Sequence, residues 1–94
     1  MPWLPPVPWR RRPTPRAVTV VTRQGCHLCA EMEHTVRRVL GGGHPVELLD
    51  LDEAGAVDPA LRERWTTLVP VLLLDGEEVA HWHVDEQTLR RLLG

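Results

Sequence analysis

From residue 17 onward, short apolar runs alternate with amphipathic stretches, and the period of each predicts its element. Ala17-Val18-Thr19-Val20-Val21-Thr22 is a β-branched run. Branching at Cβ suits a pleated sheet, so a buried, central strand is expected. Arg23-Gln24-Gly25 reads as a turn, with glycine where the chain must bend sharply. From Cys26 to Leu40 the period changes. Leu28, Met32, Val36, Val39 and Leu40 recur at three- and four-residue steps, the signature of one helical face. Glu33 and Arg37 form an i,i+4 pair on the opposite face. Gly41-Gly42-Gly43 ends that helix.

Pro45 to Leu51 predicts a second strand, and a strand–helix–strand order of this length implies a right-handed parallel crossover. Residues 52–58 read as loop. Asp58-Pro59 starts a short helix, with Asp58 as N-cap and Pro59 at the first helical position, and Leu61 and Trp65 make its apolar ridge. Val71 to Leu74, the Asp75-Gly76 turn and Glu77 to His83 predict a β-hairpin. Asp85 caps a last helix with Leu89, Leu92 and Leu93 facing inward. Trp65 and Trp82 are expected in the core. The order is β-α-β-α-β-β-α in one α/β domain, residues 17–94.

Residues 1–16 break the pattern. MPWLPPVPWRRRPTPR is dominated by proline and arginine and has no apolar period, so a disordered N-terminal arm is expected, with Trp3 and Trp9 outside the core. Pro5 to Arg10 fits a PxxPxR ligand pattern, although in so proline-rich a stretch a solvated linker is the simpler reading. Four of the eleven arginines lie in this arm. The other seven face 13 acids, so residues 17–94 carry a net charge of −6. A net-acidic fold argues against nucleic-acid binding. No run approaches the roughly 18 apolar residues of a membrane span, and the arm lacks the apolar segment of a signal peptide. A cytoplasmic monomer with no membrane contact is expected. In that reducing compartment a two-cysteine chain is catalytic or metal-binding more often than disulfide-stapled.

Cys26-His27-Leu28-Cys29 holds both cysteines, at the junction of a strand and a helix. A helix N-terminus offers unpaired N–H groups and the positive end of the macrodipole, and both favour a thiolate at Cys26. Cys29 lies one turn on, on the same face, where it can close a disulfide. The pair is the hardware for dithiol–disulfide exchange. Zinc, or an iron–sulfur cluster bridging two subunits, is the alternative. There is no second CxxC and no H-x₃₋₅-H spacing among the five histidines, which leaves exchange the favoured reading.

With Leu68-Val69-Pro70-Val71-Leu72 and Leu74-Asp75-Gly76-Glu77, the CxxC at the first helix resembles the thioredoxin fold in its short form, that of glutaredoxins and the glutaredoxin-like proteins of bacteria. The resemblance spans about residues 18–93. It implies a four-stranded mixed sheet flanked by helices, and a cis peptide before Pro70 facing the cysteines. It also implies that Val69 and Pro70 receive an extended thiol substrate through the Val69 N–H and C=O. Common glutaredoxins carry proline and an aromatic residue between the cysteines, where this chain has His27 and Leu28. Their Gly-Gly turn before the last helix is here Trp82-His83-Val84-Asp85.

The expected activity is thiol–disulfide oxidoreduction with no cofactor beyond the Cys26–Cys29 disulfide. Cys26 attacks, Cys29 resolves, and His27 tunes the pair. Arg23 places positive charge near the sulfur or holds a substrate carboxylate, and Asp85 holds a substrate amino group. A low-molecular-weight thiol or a reductase supplies electrons, and a disulfide-containing protein or small disulfide receives them. The other readings are the metal module and a non-catalytic adaptor that uses the arm as its contact.

Overall fold

The computed structural model describes Pro15 and residues 17–53 and 55–93. The expected arm, Trp3 and Trp9 included, lies outside the described residues apart from Pro15. The elements follow the expected order: β1 (Val18–Thr22), α1 (His27–Leu40), β2 (Glu47–Asp50), α2 (Pro59–Trp65), β3 (Val71–Leu74), β4 (Glu77–His81) and α3 (Glu86–Leu93). β2 is shorter than its apolar run because pairing begins at Glu47, opposite Thr19.

The four strands form one mixed sheet in the order β2-β1-β3-β4. β1 is central, parallel to β2 and antiparallel to β3, which pairs antiparallel with β4. Successive side chains of a strand point to opposite faces, and both faces are filled. Val18, Val20, Leu72 and Leu74 face Met32 and Val36 of α1 and Leu89 of α3, with Val84. Val21, Val71 and Leu73 face Leu51 and Trp65 of α2. The result is a three-layer α/β/α arrangement with α1 and α3 on one face and α2 on the other.

The helix starts and the hairpin turn follow the sequence chemistry. The Asp58 carboxylate accepts from the Ala60 N–H at 2.9 Å, with Pro59 opening α2. Asp75 and Gly76 both take positive φ, 51° and 85°, as the two-residue hairpin turn requires. The Trp65 indole N–H donates to the Glu78 carboxylate, which the Arg64 Nε–H also reaches at 2.9 Å, tying α2 to β4.

Three apolar side chains depart from expectation. Leu28 is exposed because the first turn of α1 lies past the carboxyl end of β1, where there is no sheet to cover it. Leu61 is exposed because the short α2 buries only Trp65. Trp82, expected in the core, is 53% exposed. β4 stops at His81, and the backbone at Trp82 turns through φ 66°, which carries the side chain out of the strand's alternation.

Candidate active site

The parallel pairing of β1 with β2 brings both strands' carboxyl ends to one end of the sheet. Crevices outside such ends are where open α/β sheets bind ligands. Beyond Thr22 the chain turns through Gly25 at φ 72°, and the Cys26 N–H donates to the Arg23 carbonyl at 3.3 Å. Cys26 is the N-cap of α1, in extended backbone at φ −90° and ψ 108°. Its Sγ accepts the Cys29 N–H at 3.1 Å. A sulfur thus takes the place that serine or aspartate holds at other helix starts. The first turn of α1 contains no acid that would compete for the same positive end.

Cys26 and Cys29 are joined as a disulfide, with Cα atoms 5.2 Å apart. Their environments differ. Cys26 is half-buried, whereas Cys29 is 3% exposed beneath the helix. Cys26 is therefore the accessible sulfur. The Cys29 N–H is placed to donate to Cys26 Sγ, and such a bond is about twice as strong to an ionised acceptor as to a neutral one.

A shallow groove of about 360 Å³ runs along the pair and brings together Arg23, Cys26, His27 and Cys29, with Glu33 and Leu48 on its walls. Arg23 does not offer a free charge there. Its Nε–H and Nη2–H reach Asp52 Oδ2 and Oδ1, each at 3.0 Å, and Arg62 Nη2 adds a longer contact at 3.5 Å. The hydrogen bonds to Asp52 raise the guanidinium's pKa, and Arg23 holds the Asp52 carboxyl below its ordinary value. Asp52 follows β2 as Arg23 follows β1, so the bridge ties together the two loops that leave this end of the sheet. His27 is exposed, its Nε2 lying 3.5 Å from the Glu31 carboxylate.

Val69 and Pro70 stand at the same end. β3 pairs Val71 with Val21, so one further step of the antiparallel register sets Pro70 opposite Thr22, beside the turn into Cys26. The Val69–Pro70 peptide is cis. One part of the expectation is corrected. The Val69 N–H donates to the Trp65 carbonyl at 2.9 Å, closing the last turn after α2, and is not available to a substrate. The Pro70 carbonyl accepts the Trp82 N–H at 2.8 Å. Among the described residues nothing donates to the Val69 carbonyl.

Asp85 lies outside the groove, ahead of α3. Its carboxylate accepts the Thr88 N–H at 2.7 Å and the Thr88 hydroxyl at 3.1 Å, and these bonds hold its pKa below the ordinary value. Among the described residues no three His, Cys, Asp or Glu side chains gather as a metal site would require. No helix of the described residues is long and apolar enough to cross a membrane.

Two residues of this end escaped the sequence reading. Asp52 was legible in principle, since the residues after two adjacent parallel strands must lie side by side. Trp82 carried no such signal, because its alternation with its neighbours reads as ordinary strand.

Residues 17–94 match the model of the glutaredoxin-like domain (DUF836). The uncharacterized protein Rv0508 of Mycobacterium tuberculosis is 35% identical over 75 residues, covering 78% of this chain and 77% of that protein. Among solved structures, the structural-genomics target protein XcR50 from X. campestris superposes with a TM-score of 0.63 at 29% identity, over 79% of this chain and 91% of that one. The thioredoxin-like protein BC3987 has the same fold, with a TM-score of 0.56 at 23% identity over 81% and 99% of the two chains.

Proposed function

The chain belongs to the glutaredoxin-like domain family, and from that premise we propose that it is a thiol–disulfide oxidoreductase working by dithiol exchange. The observation that carries this reading is the Cys29 N–H aimed at the accessible Sγ of Cys26, with the second sulfur buried one turn below. The Cys26 thiolate attacks one sulfur of a substrate disulfide. A Cys26–substrate disulfide forms, and the other substrate sulfur leaves as a thiolate. Cys29, deprotonated, then attacks Cys26 Sγ and releases the second substrate thiolate. Two electrons pass from the protein dithiol to the substrate, and the protein is left as the Cys26–Cys29 disulfide. A low-molecular-weight thiol or a reductase returns it to the dithiol.

The Val69 carbonyl receives one substrate backbone N–H. Arg23 acts through its backbone, holding the Cys26 N–H in place, while its side chain is anchored by Asp52. His27 borders the attacking sulfur and tunes it. The enzyme works as a monomer in the cytoplasm, where the thiol pool keeps such a pair cycling.

The test is a trap. Reduced Cys29→Ser protein mixed with a peptide disulfide accumulates a covalent adduct at Cys26, seen by mass spectrometry and reversed by a small thiol. Cys26→Ser protein forms none. An adduct on Cys29 instead, or no adduct at all, overturns the mechanism.

A further inference from the structure

Trp82 occupies a conformation that a bulky residue adopts only under constraint. The His83 N–H donates to the His81 carbonyl at 2.7 Å, closing a three-residue turn around Trp82 at φ 66°. Turns of this hand are rare and strained, and strain of this kind gathers at functional sites. The ring is also fixed in place. Its Nε1–H donates to the Thr67 carbonyl at 2.8 Å, its backbone N–H to the Pro70 carbonyl at 2.8 Å, and it stands edge-on to His81 with centroids 4.7 Å apart. Yet the residue as a whole is more than half exposed. A strained, immobilised and exposed indole is not serving the core.

Its surroundings indicate what it serves. Trp82 and the exposed Leu28, which sits between the two cysteines, line one cleft of about 450 Å³, with Met32 and Val84 in its lining. The cleft adjoins the groove at the cysteines, with Ala30 lining both. Glu31 is the acid in its lining, beside His34, Thr35 and His83, and the arginine on the other side of the motif is engaged by Asp52. An anionic thiol therefore meets no unengaged arginine and one carboxylate, whereas an apolar side chain meets the exposed Leu28 and Trp82. The backbone grip at Val69 is reduced to one carbonyl, so side-chain contact must carry more of the substrate's recognition.

We propose that Trp82 is a specificity-determining residue. With Leu28 it takes a bulky apolar side chain adjacent to the reactive cysteine of a peptide disulfide, and the site disfavours acidic thiols. This rests on the oxidoreductase reading and deepens it.

Three peptides test it, identical except for leucine, glycine or glutamate beside the single cysteine, each presented as the mixed disulfide with 2-mercaptoethanol. The second-order rate of reduction by the reduced full chain is followed by quenched chromatography. The leucine peptide is expected to react about tenfold faster than the glycine peptide, the scale of discrimination an apolar pocket supplies, and the glutamate peptide slowest. Trp82→Gly suits the backbone at φ 66° and should bring the leucine-to-glycine ratio close to one, while Trp82→Phe should retain most of it. Leu28→Ala removes the opposite wall and should lower the same ratio, should either tryptophan variant fail to fold. Equal rates for all three peptides with the natural chain, or a preference that survives both Trp82→Gly and Leu28→Ala, overturns the proposal and leaves the exchange reaction standing. No reduction of any peptide overturns the oxidoreductase reading itself, and this inference with it.

Discussion

In the reduced, folded protein the two thiols should differ in alkylation rate by about a hundredfold. Cys26 is half-buried at the mouth of the groove and can react without any motion of the chain. Cys29 is 3% exposed, so iodoacetamide reaches it only when the first turn of α1 opens. That opening breaks the Cys29 N–H bond to Cys26 Sγ and the Ala30 N–H bond to the Cys26 carbonyl. Each is worth about 1 kcal/mol net, and exposing the Cys29 side chain adds about as much again. The opening therefore costs about 3 kcal/mol, which holds Cys29 back by a factor of about 100. Stabilisation of the Cys26 thiolate widens the gap further. Limited alkylation near neutral pH, read by mass spectrometry of the separated peptides, measures both rates in one sample. In denaturant the rates should converge, since both barriers belong to the fold. Similar rates in the native protein, or a faster Cys29, would refute the assignment of attacking and resolving sulfurs.

The Gly25→Ala variant should lose about 1–2 kcal/mol, because a Cβ at φ 72° is strained while no atom lies in its way. Its exchange rate should fall as well, since the Cys26 turn shifts. Gly42→Ala, with open space and no such φ, should change urea stability by no more than about 0.5 kcal/mol. Leu89→Ala removes the fully buried anchor of α3 and should cost about 2–5 kcal/mol, read as a lower urea midpoint. Stability should also depend on pH from both sides. Asp52, Glu78 and Asp85 have lowered carboxyl pKa values, set first by Arg23, Arg64 and Thr88 respectively. Their contribution is present above the unfolded-state values near pH ~4 and is lost as the pH falls through the lower native ones. His44 is raised, because its two ring nitrogens face the carbonyls of Pro45 and Pro15 and only the protonated ring donates to both. Its contribution is complete below the unfolded value near pH ~6.5 and is lost as the pH rises through the native one. Melting temperature should thus peak between these limits in the natural chain, and His44→Gln should flatten the alkaline side. A melting curve insensitive to that substitution would contradict the His44 assignment.

The elements were legible because their signals are local. β-branched runs, three- and four-residue spacing, Asp58-Pro59 and Asp75-Gly76 each announce an element without help from distant residues. The place of Cys26 at a helix N-terminus was legible for the same reason. What stayed hidden depends on how the loops meet. Arg23 reads as a free cation until β2 delivers Asp52 beside it. The Val69 N–H reads as free until the turn after α2 takes it. Trp82 reads as core because strand alternation says nothing of a positive φ that ends the strand at His81, two residues before its expected end.

The central claim is that Cys26 and Cys29 cycle between dithiol and disulfide. The most direct measurement equilibrates metal-free protein in thiol buffers of defined potential and counts free thiols by alkylation and mass. A reversible two-electron transition between about −120 and −270 mV, the span of known redoxins, is expected. Failure to form an intramolecular Cys26–Cys29 disulfide at any potential in that span would contradict the exchange mechanism.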